Sequence, residues 1–270
     1  MTERLDDRVA LITGANHGIG AATAIALAAR GAAVVITYLR LADEPDPGIP
    51  EVYRRNRAGG AEAVVAAIEE DGGRATAVEA DLLDPGTLAR LFDAAEQAYG
   101  TVDILINNAT GWVADTFAPH DADRLGRTLQ TVGPGTYERN FGVDARAPAL
   151  LIAEFARRQV AARRGWGRIV SMISGGGLGF PEEVSYGAAK AALAHYTMSA
   201  AVELAPYGIT ANAVHPPVTD TGWVTDPVRE FVAASREHHT VATPAEVAEV
   251  IAYLVTDAAR LVTGNVLTLR

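Results

Sequence analysis

A chain of 270 residues, 49% hydrophobic and 21% charged, carries enough apolar surface for one large core, and its length fits a single α/β domain better than two small ones. Its formal charge of −10 argues against a nucleic-acid partner, because binding phosphates demands clustered cations. The absence of cysteine excludes disulfides, thiolate nucleophiles and thiolate metal sites, so any redox chemistry must come from a bound cofactor.

The opening Met1-Thr-Glu-Arg-Leu-Asp-Asp-Arg8 is charged and lacks the apolar core of a signal peptide. Arg30 interrupts the most apolar stretch, between Ile19 and Tyr38, so no run reaches the roughly 20 residues of a membrane span. The expected location is the cytoplasm, with no membrane partner.

From the N-terminus, a β-branched run at 9–13 precedes an Ala-rich segment of helical period at 20–30, and a second run at 33–38 precedes another at 60–71. The rhythm continues through 75–80, 85–99, 104–107, 137–163, 168–173, 185–205 and 209–215. This alternation predicts a doubly wound, mostly parallel sheet covered by helices on both faces, a Rossmann-type domain spanning 1–270. Two segments break the pattern and read as irregular insertions. Residues 41–59 carry Pro45, Pro47, Gly48 and Pro50, and residues 110–135 mix Trp112, Phe117, Pro119, Gly133 and Pro134 with charges.

Between the first run and first helix stands Thr13-Gly-Ala-Asn-His-Gly-Ile-Gly20. At this position Gly14, Asn16, His17, Gly18, Ile19 and Gly20 form a turn whose glycines permit a tight bend and whose amides can face a pyrophosphate. The second run ends Thr37-Tyr38-Leu39-Arg40, with no acid to hold the adenosine ribose hydroxyls of NAD. NADP is favoured over NAD, with Arg40, Tyr38 and His17 placed near a 2′-phosphate.

Further along come Asn107-Asn-Ala109, Ser174, Tyr186-Gly-Ala-Ala-Lys190 and Asn212-Ala-Val-His-Pro-Pro217. Together with the glycine turn, in this order and spacing, they make the chain resemble the classical short-chain dehydrogenase/reductases, particularly the 3-oxoacyl-(acyl-carrier-protein) reductase-like group. The resemblance covers the chain from Arg8 to the C-terminus. It implies hydride transfer between a nicotinamide and a carbonyl or secondary alcohol, with Ser174, Tyr186 and Lys190 catalytic. Lys190 would also bind the nicotinamide ribose. Asp81 and Leu82 would border the adenine, Asn108 would lie along the adenosine ribose or the neighbouring backbone, and Thr219 and Thr221 would cover the carboxamide and pyrophosphate. Members are commonly dimers or tetramers, which implies a homo-oligomer here through 137–163 and 185–205.

The chemistry needs such a set. Hydride delivery leaves negative charge on the carbonyl oxygen, so a proton donor and hydrogen bonds must await it. A Tyr phenol near pKa ~10 is a poor base, and Lys190, one helical turn on, is expected to pull that pKa down. Ser171 flanks the same strand end as Ser174, and either hydroxyl could cap a turn; the spacing to Tyr186 favours Ser174 by resemblance.

Departures from the pattern are equally specific. Asp144 stands where the family places a fourth catalytic residue, an Asn; ionised, it would stabilise the Lys190 cation while opposing a Tyr186 phenolate. Thr110 and Pro217 replace two expected glycines, and the chain ends without the usual Gly-Gly segment. Trp112, Phe117, Trp223 and Phe231 are candidate substrate walls. His238-His239 lacks a ligand set at metal spacing, so no metal is expected. Arg157, Arg158, Arg163, Arg164 and Arg168 could dock an acidic carrier protein or simply complement a helix end. Two rival readings stay open: an NAD-dependent dehydrogenase of a sterol, sugar or other secondary alcohol, and a catalytically weak NADP-binding sensor or scaffold.

Overall fold

In the computed structural model, which describes residues 3–176 and 178–270, short strands take the places that the apolar runs predict, and three more form at 115–116, 130–131 and 266–268. In chain order they are β1 (Val9–Thr13), β2 (Ala33–Tyr38), β3 (Arg74–Glu79), β4 (Ile104–Asn107), the two-residue β5 (Asp115–Thr116) and β6 (Gln130–Thr131), β7 (Gly167–Met172), β8 (Ile209–His215) and β9 (Val266–Thr268). Seven of them form one sheet, in the order β3-β2-β1-β4-β7-β8-β9, and every pairing in it is parallel. Continuous burial along β1, β2, β4 and β7 follows from helices covering both faces, which leaves no wet side for alternation.

The helices are α1 (Gly18–Ala29), α2 (Glu51–Ala58), α3 (Glu62–Glu70), α4 (Pro85–Tyr99), α5 (Pro134–Phe141), α6 (Ala147–Ala161), α7 (Val184–Glu203), α8 (Asp226–Ala234) and α9 (Pro244–Leu254). A π-helical turn at Gly142–Arg146 joins α5 to α6. One core, containing Ile12, Leu27, Ile36 and Ile251, packs α1, α3 and α9 on one face. The other, containing Phe92, Leu105, Leu151 and Phe155, packs α4, α6 and α7 opposite. Helix starts are chemically marked: the Asp84 carboxylate accepts from Gly86 N–H (2.9 Å) ahead of Pro85, and Thr243 and Glu246 form a reciprocal cap at α9.

The sequence reading is corrected in one respect. Residues 41–59 are not irregular throughout, because 51–58 form α2. Pro50 precedes the first turn, where its missing N–H costs nothing, and Glu51 pairs with Arg55 one turn later. The second insertion closes on itself through the β5–β6 pairing. The two insertions meet: the Asp46 carboxylate accepts from Gly48 N–H (2.9 Å) and from Thr128 N–H (3.3 Å).

From β1 the chain winds outward to β2 and β3, then returns to place β4 on the opposite side of β1. Loops leaving β1 and β4 therefore diverge, and open a crevice at their C-terminal ends.

Candidate active site

That crevice is a cleft of about 1910 Å³, larger than the roughly 300–1,000 Å³ of a single small-ligand pocket. Its nucleotide-side wall is the glycine turn. Gly14 (φ +63°) and Gly18 (φ +58°) take left-handed conformations. A Cβ on Gly14 would lie 2.7 Å from the Ala109 Cα, and one on Gly18 would lie 2.9 Å from Thr221 Cγ2. Gly20 does not line the cleft, but a Cβ there would strike the Gly14 carbonyl oxygen. Thr13 Oγ1 accepts from the Asn108 and Ala109 N–H groups (3.0 Å each), and Asn108 Nδ2 donates to the Thr13 (2.9 Å) and Gly14 (2.8 Å) carbonyls. The Asn108 side chain thus holds the turn itself.

No side chain caps the first amides of α1, and His17 Nδ1 is buried without a hydrogen-bond partner. A cradle that admits no Cβ, beside an uncapped helix N-terminus, fits a dinucleotide pyrophosphate. Burial, followed by the nearby Arg57 charge, lowers the His17 pKa to about 4, so its imidazole is neutral at pH 7.

Asn16 Nδ2 donates to the carbonyls of Gly59 (2.9 Å) and Asn56 (3.4 Å), and Asn56 Nδ2 donates to that of Thr221 (3.3 Å). α2 therefore spans the cleft mouth from the glycine turn to the loop after β8. Tyr38, Asp81, Leu82, Thr219 and Thr221 line the same cleft; Asp81 Oδ1 accepts from Leu83 N–H (2.9 Å), and Thr219 Oγ1 donates to the Pro217 carbonyl (2.9 Å). Arg40 stands just past the end of β2. Its guanidinium is engaged by Glu62 (2.6 Å) and by Glu79, and does not line the cleft.

Deeper in the cleft, β7 ends at Met172 and the chain brings Ser174 beside Tyr186 on the first turns of α7. Lys190 follows one turn on, buried, with Nζ donating to the Met172 carbonyl (2.8 Å) and lying 2.9 Å from Asp144 Oδ1. Asp144 is fully buried on the π-helical turn, and its Oδ2 accepts from Gly111 N–H (2.8 Å). The Lys190 ammonium sits 5.6 Å from the centroid of the Tyr186 ring. Ser171, the other hydroxyl considered, faces the core, where it accepts from Thr197 Oγ1 (2.9 Å) and Asn107 Nδ2 (3.4 Å).

The Tyr186 pKa is not lowered overall. The phenol is held well above its ordinary value, first by burial, then by the negative charges of Asp144 and Glu183, while its hydrogen bond with Ser174 pulls the other way. The Lys190 charge is committed to Asp144 and the Met172 carbonyl. At neutral pH Tyr186 is a proton donor.

The substrate-side walls come from the second insertion, the loop after β8 and α8. Trp112, Phe117, Trp223 and Phe231 all line the cleft, and Trp223 Nε1 is fixed by the Thr219 carbonyl (2.9 Å). Among the described residues no three His, Asp or Glu side chains converge for a metal; His238 and His215 line the cleft, whereas His195 and His239 do not. The basic cluster is largely neutralised: Arg157 and Arg158 pair with Glu154, Arg158 also with Asp93 and Glu96, Arg164 with Asp103 and Arg168 with Asp257.

Several residues at the site carry no motif. Arg127 bridges buried Asp123 and Glu183 (2.7 Å), Glu183 being three residues before Tyr186. Buried Asp115 accepts from Ser185 N–H (2.8 Å), so the second insertion supplies the cap for the helix that carries Tyr186 and Lys190. Tyr53 and Arg57 of α2 complete the wall. The one sequence signal pointing to them was the interruption of the βαβ rhythm.

Comparison with known proteins agrees with this geometry. A family profile described as short chain dehydrogenase matches residues 8–230. The cis-4-hydroxycyclohexanecarboxylate dehydrogenase of Sinomonas cyclohexanicum is 38% identical over 99% of this chain and 96% of its own length. A 3-oxoacyl-[acyl-carrier-protein] reductase of Synechocystis is 32% identical over 97% and 94%. Among solved structures, a short chain dehydrogenase from Burkholderia cenocepacia in complex with NADP superposes with a TM-score of 0.79, at 32% identity, covering 99% of this chain and 98% of that one.

Proposed function

This chain belongs to the short chain dehydrogenase family, and from that premise we propose that it is an NADP(H)-dependent oxidoreductase that reduces a small-molecule ketone to a secondary alcohol. The observation that carries the reading is the cluster of Ser174, Tyr186, Lys190 and Asp144 in the cleft that also contains the glycine turn. Gly14, Gly18 and Ile19 would hold the pyrophosphate, Tyr38, Asp81 and Leu82 the adenosine, and Lys190, Thr219 and Thr221 the nicotinamide half. NADPH bound there supplies the hydride.

Tyr186 Oη gives its proton to the developing alkoxide, and the Ser174 hydroxyl donates a hydrogen bond to the same oxygen, so charge never accumulates unopposed. Lys190 keeps a cation beneath the phenol as it ionises. Asp144 holds that cation in place and, as a charge of the same sign as phenolate, keeps Tyr186 protonated until the substrate oxygen demands the proton. Retention of Ser174, Tyr186 and Lys190 favours an enzyme over a binding-only scaffold, for which Asp144 in place of Asn is the main argument.

For the substrate, an apolar chamber walled by Trp112, Trp223 and Phe231 favours a ring-bearing or acyl ketone. A cyclic secondary alcohol oxidised in the reverse direction is the second reading, supported by the cyclohexane-carboxylate relative. Carrier-bound acyl groups are the less favoured form, since the arginines that would meet an acidic carrier already hold internal acids. We place the enzyme in the cytoplasm as a homo-oligomer through α6 and α7, whose Leu150, Val160, Tyr196 and Val202 are exposed. No helix among the described residues is long and apolar enough to cross a membrane.

The test is consumption of NADPH and NADH by purified protein over a panel of cyclic ketones, 3-oxoacyl thioesters and quinones. The expected result is NADPH turnover that falls by roughly 10³-fold in Tyr186→Phe while NADPH binding stays within a few-fold. Tight NADPH binding with no turnover of any ketone or alcohol would replace the enzyme by the sensor.

A further inference from the structure

The inserted helix α2 carries three arginines, of which Arg57 lines the cleft, and they differ in what they face. Arg54 pairs with Asp43 and Arg55 with Glu51, whereas Arg57 has no acidic partner among the described residues. Arg57 and His17 line the same cleft, and the Arg57 guanidinium lies 5.6 Å from the centroid of the Tyr53 ring. Its backbone is fixed there. The Arg57 carbonyl accepts from Leu41 N–H (3.1 Å), three residues past the end of β2, and Asn16 of the glycine turn binds the carbonyls on either side, at Asn56 and Gly59. Arg57 therefore sits between the glycine turn and the C-terminal end of β2, where a doubly wound fold receives the adenosine ribose.

Two other side chains there could meet a phosphate, and neither brings free charge. Arg40 is held by Glu62 and Glu79, so turning it inward would break two ion pairs. His17 offers a buried, unpartnered Nδ1 but no positive charge at neutral pH.

We propose that Arg57, delivered by the inserted helix, is the cation that recognises the adenosine 2′-phosphate, so that the choice between NADP and NAD is made by the insertion and not by the end of β2. The inference rests on the NADP reading above. A guanidinium suits the role, because its fork of donors matches phosphate oxygens and its charge is undiminished at any relevant pH. His17 Nδ1 is placed to add a neutral hydrogen bond.

Calorimetric titration of the whole protein with 2′,5′-ADP and with 5′-ADP reads this directly, without turnover. Wild type is expected to prefer 2′,5′-ADP. Arg57→Gln should weaken 2′,5′-ADP by about 10- to 100-fold while leaving 5′-ADP within twofold, and Arg57→Lys should recover part of the loss. Arg40→Gln should change neither by more than about threefold, since only solvent-exposed pairs are lost. If wild type prefers 2′,5′-ADP and Arg57→Gln retains that preference, or if Arg40→Gln abolishes it, the inference is overturned and the NADP reading survives. Equal affinity of wild type for both fragments removes the NADP reading and this inference with it.

Discussion

The parallel sheet and the wall assembled from residues 41–59 and 110–135 are held together by different forces. Around the sheet, Phe92, Phe155, Leu105 and Ile106 have essentially no exposed surface, and stability comes from apolar area removed from water on both faces. In the wall, cohesion comes from carboxylates placed on backbone amides and on guanidinium groups: Asp46 on Gly48 and Thr128, Asp115 on Ser185, and Arg127 between Asp123 and Glu183. Apolar packing tolerates changes of detail and sets the framework. The polar wall is directional, and it sets where Tyr186, Trp112 and Arg57 point.

The contrast predicts that damage to the two regions will register in different measurements. The largest expected effect is on the sheet side: Phe155→Ala should cost about 3–5 kcal/mol of unfolding free energy, read by denaturant titration, with little change in KM for the molecules that remain folded. A loss below about 1 kcal/mol would mean that the core does not carry the framework. Next comes Arg127→Met in the wall. Removing the cation leaves Asp123 and Glu183 unpaired beside the α7 start, so kcat/KM should drop by about 10- to 100-fold, with a smaller fractional change in Tm than for Phe155→Ala. The reverse ranking of the two variants in both assays would break the comparison.

A finer effect concerns Asp144. Its charge raises the Tyr186 pKa, so Asp144→Asn should lower it and move the alkaline fall of the reduction rate to lower pH. Superimposable pH–rate profiles for kcat would show that Asp144 acts only by holding Lys190. The smallest effect is on stability. The His17 pKa is about 4 in the folded chain and near 6.5 when unfolded, so the unfolded state binds the extra proton as pH falls through 6.5. Stability should decline by roughly 1 kcal/mol between pH 7 and pH 5.5, and His17→Gln should flatten that decline. An unchanged slope in the variant would assign the acid sensitivity elsewhere.

The same contrast explains what could be read in advance. Strand positions such as 9–13, 33–38 and 104–107 announce themselves by continuous β-branched runs, and the glycine turn and the Tyr186/Lys190 pair lie at fixed offsets from them. α2 was hidden because Pro45, Pro47 and Pro50 read as loop, although the last of these stands immediately before the helix. Arg57, Glu183 and Asp115 act through partners 16 to 70 residues away, as in the Leu41–Arg57 and Asp115–Ser185 bonds, and Arg127 joins a near partner, Asp123, to the distant Glu183; no local pattern encodes the distant partners. Arg40 shows the converse: its position beside β2 is legible, while its two acidic partners, Glu62 and Glu79, become neighbours only in the folded chain.

The π-helical turn at Gly142–Arg146 gives this chain a phase requirement. A regular α-helix advances about 100° per residue, and a π turn accommodates one residue more than the α-helical path it replaces. Deleting a single residue from 142–146 would thus rotate one side of the join by about 100° against the other. Either the Asp144 carboxylate would swing away from Lys190, or α6 would turn Phe155 out of the core. Apart from Asp144, and from Gly142 whose added Cβ would strike Leu83, substitutions are tolerable in that segment, but changes in its length are not, so across variants of this chain the spacing from Asn140 to Phe155 should be invariant even where other residues between them change.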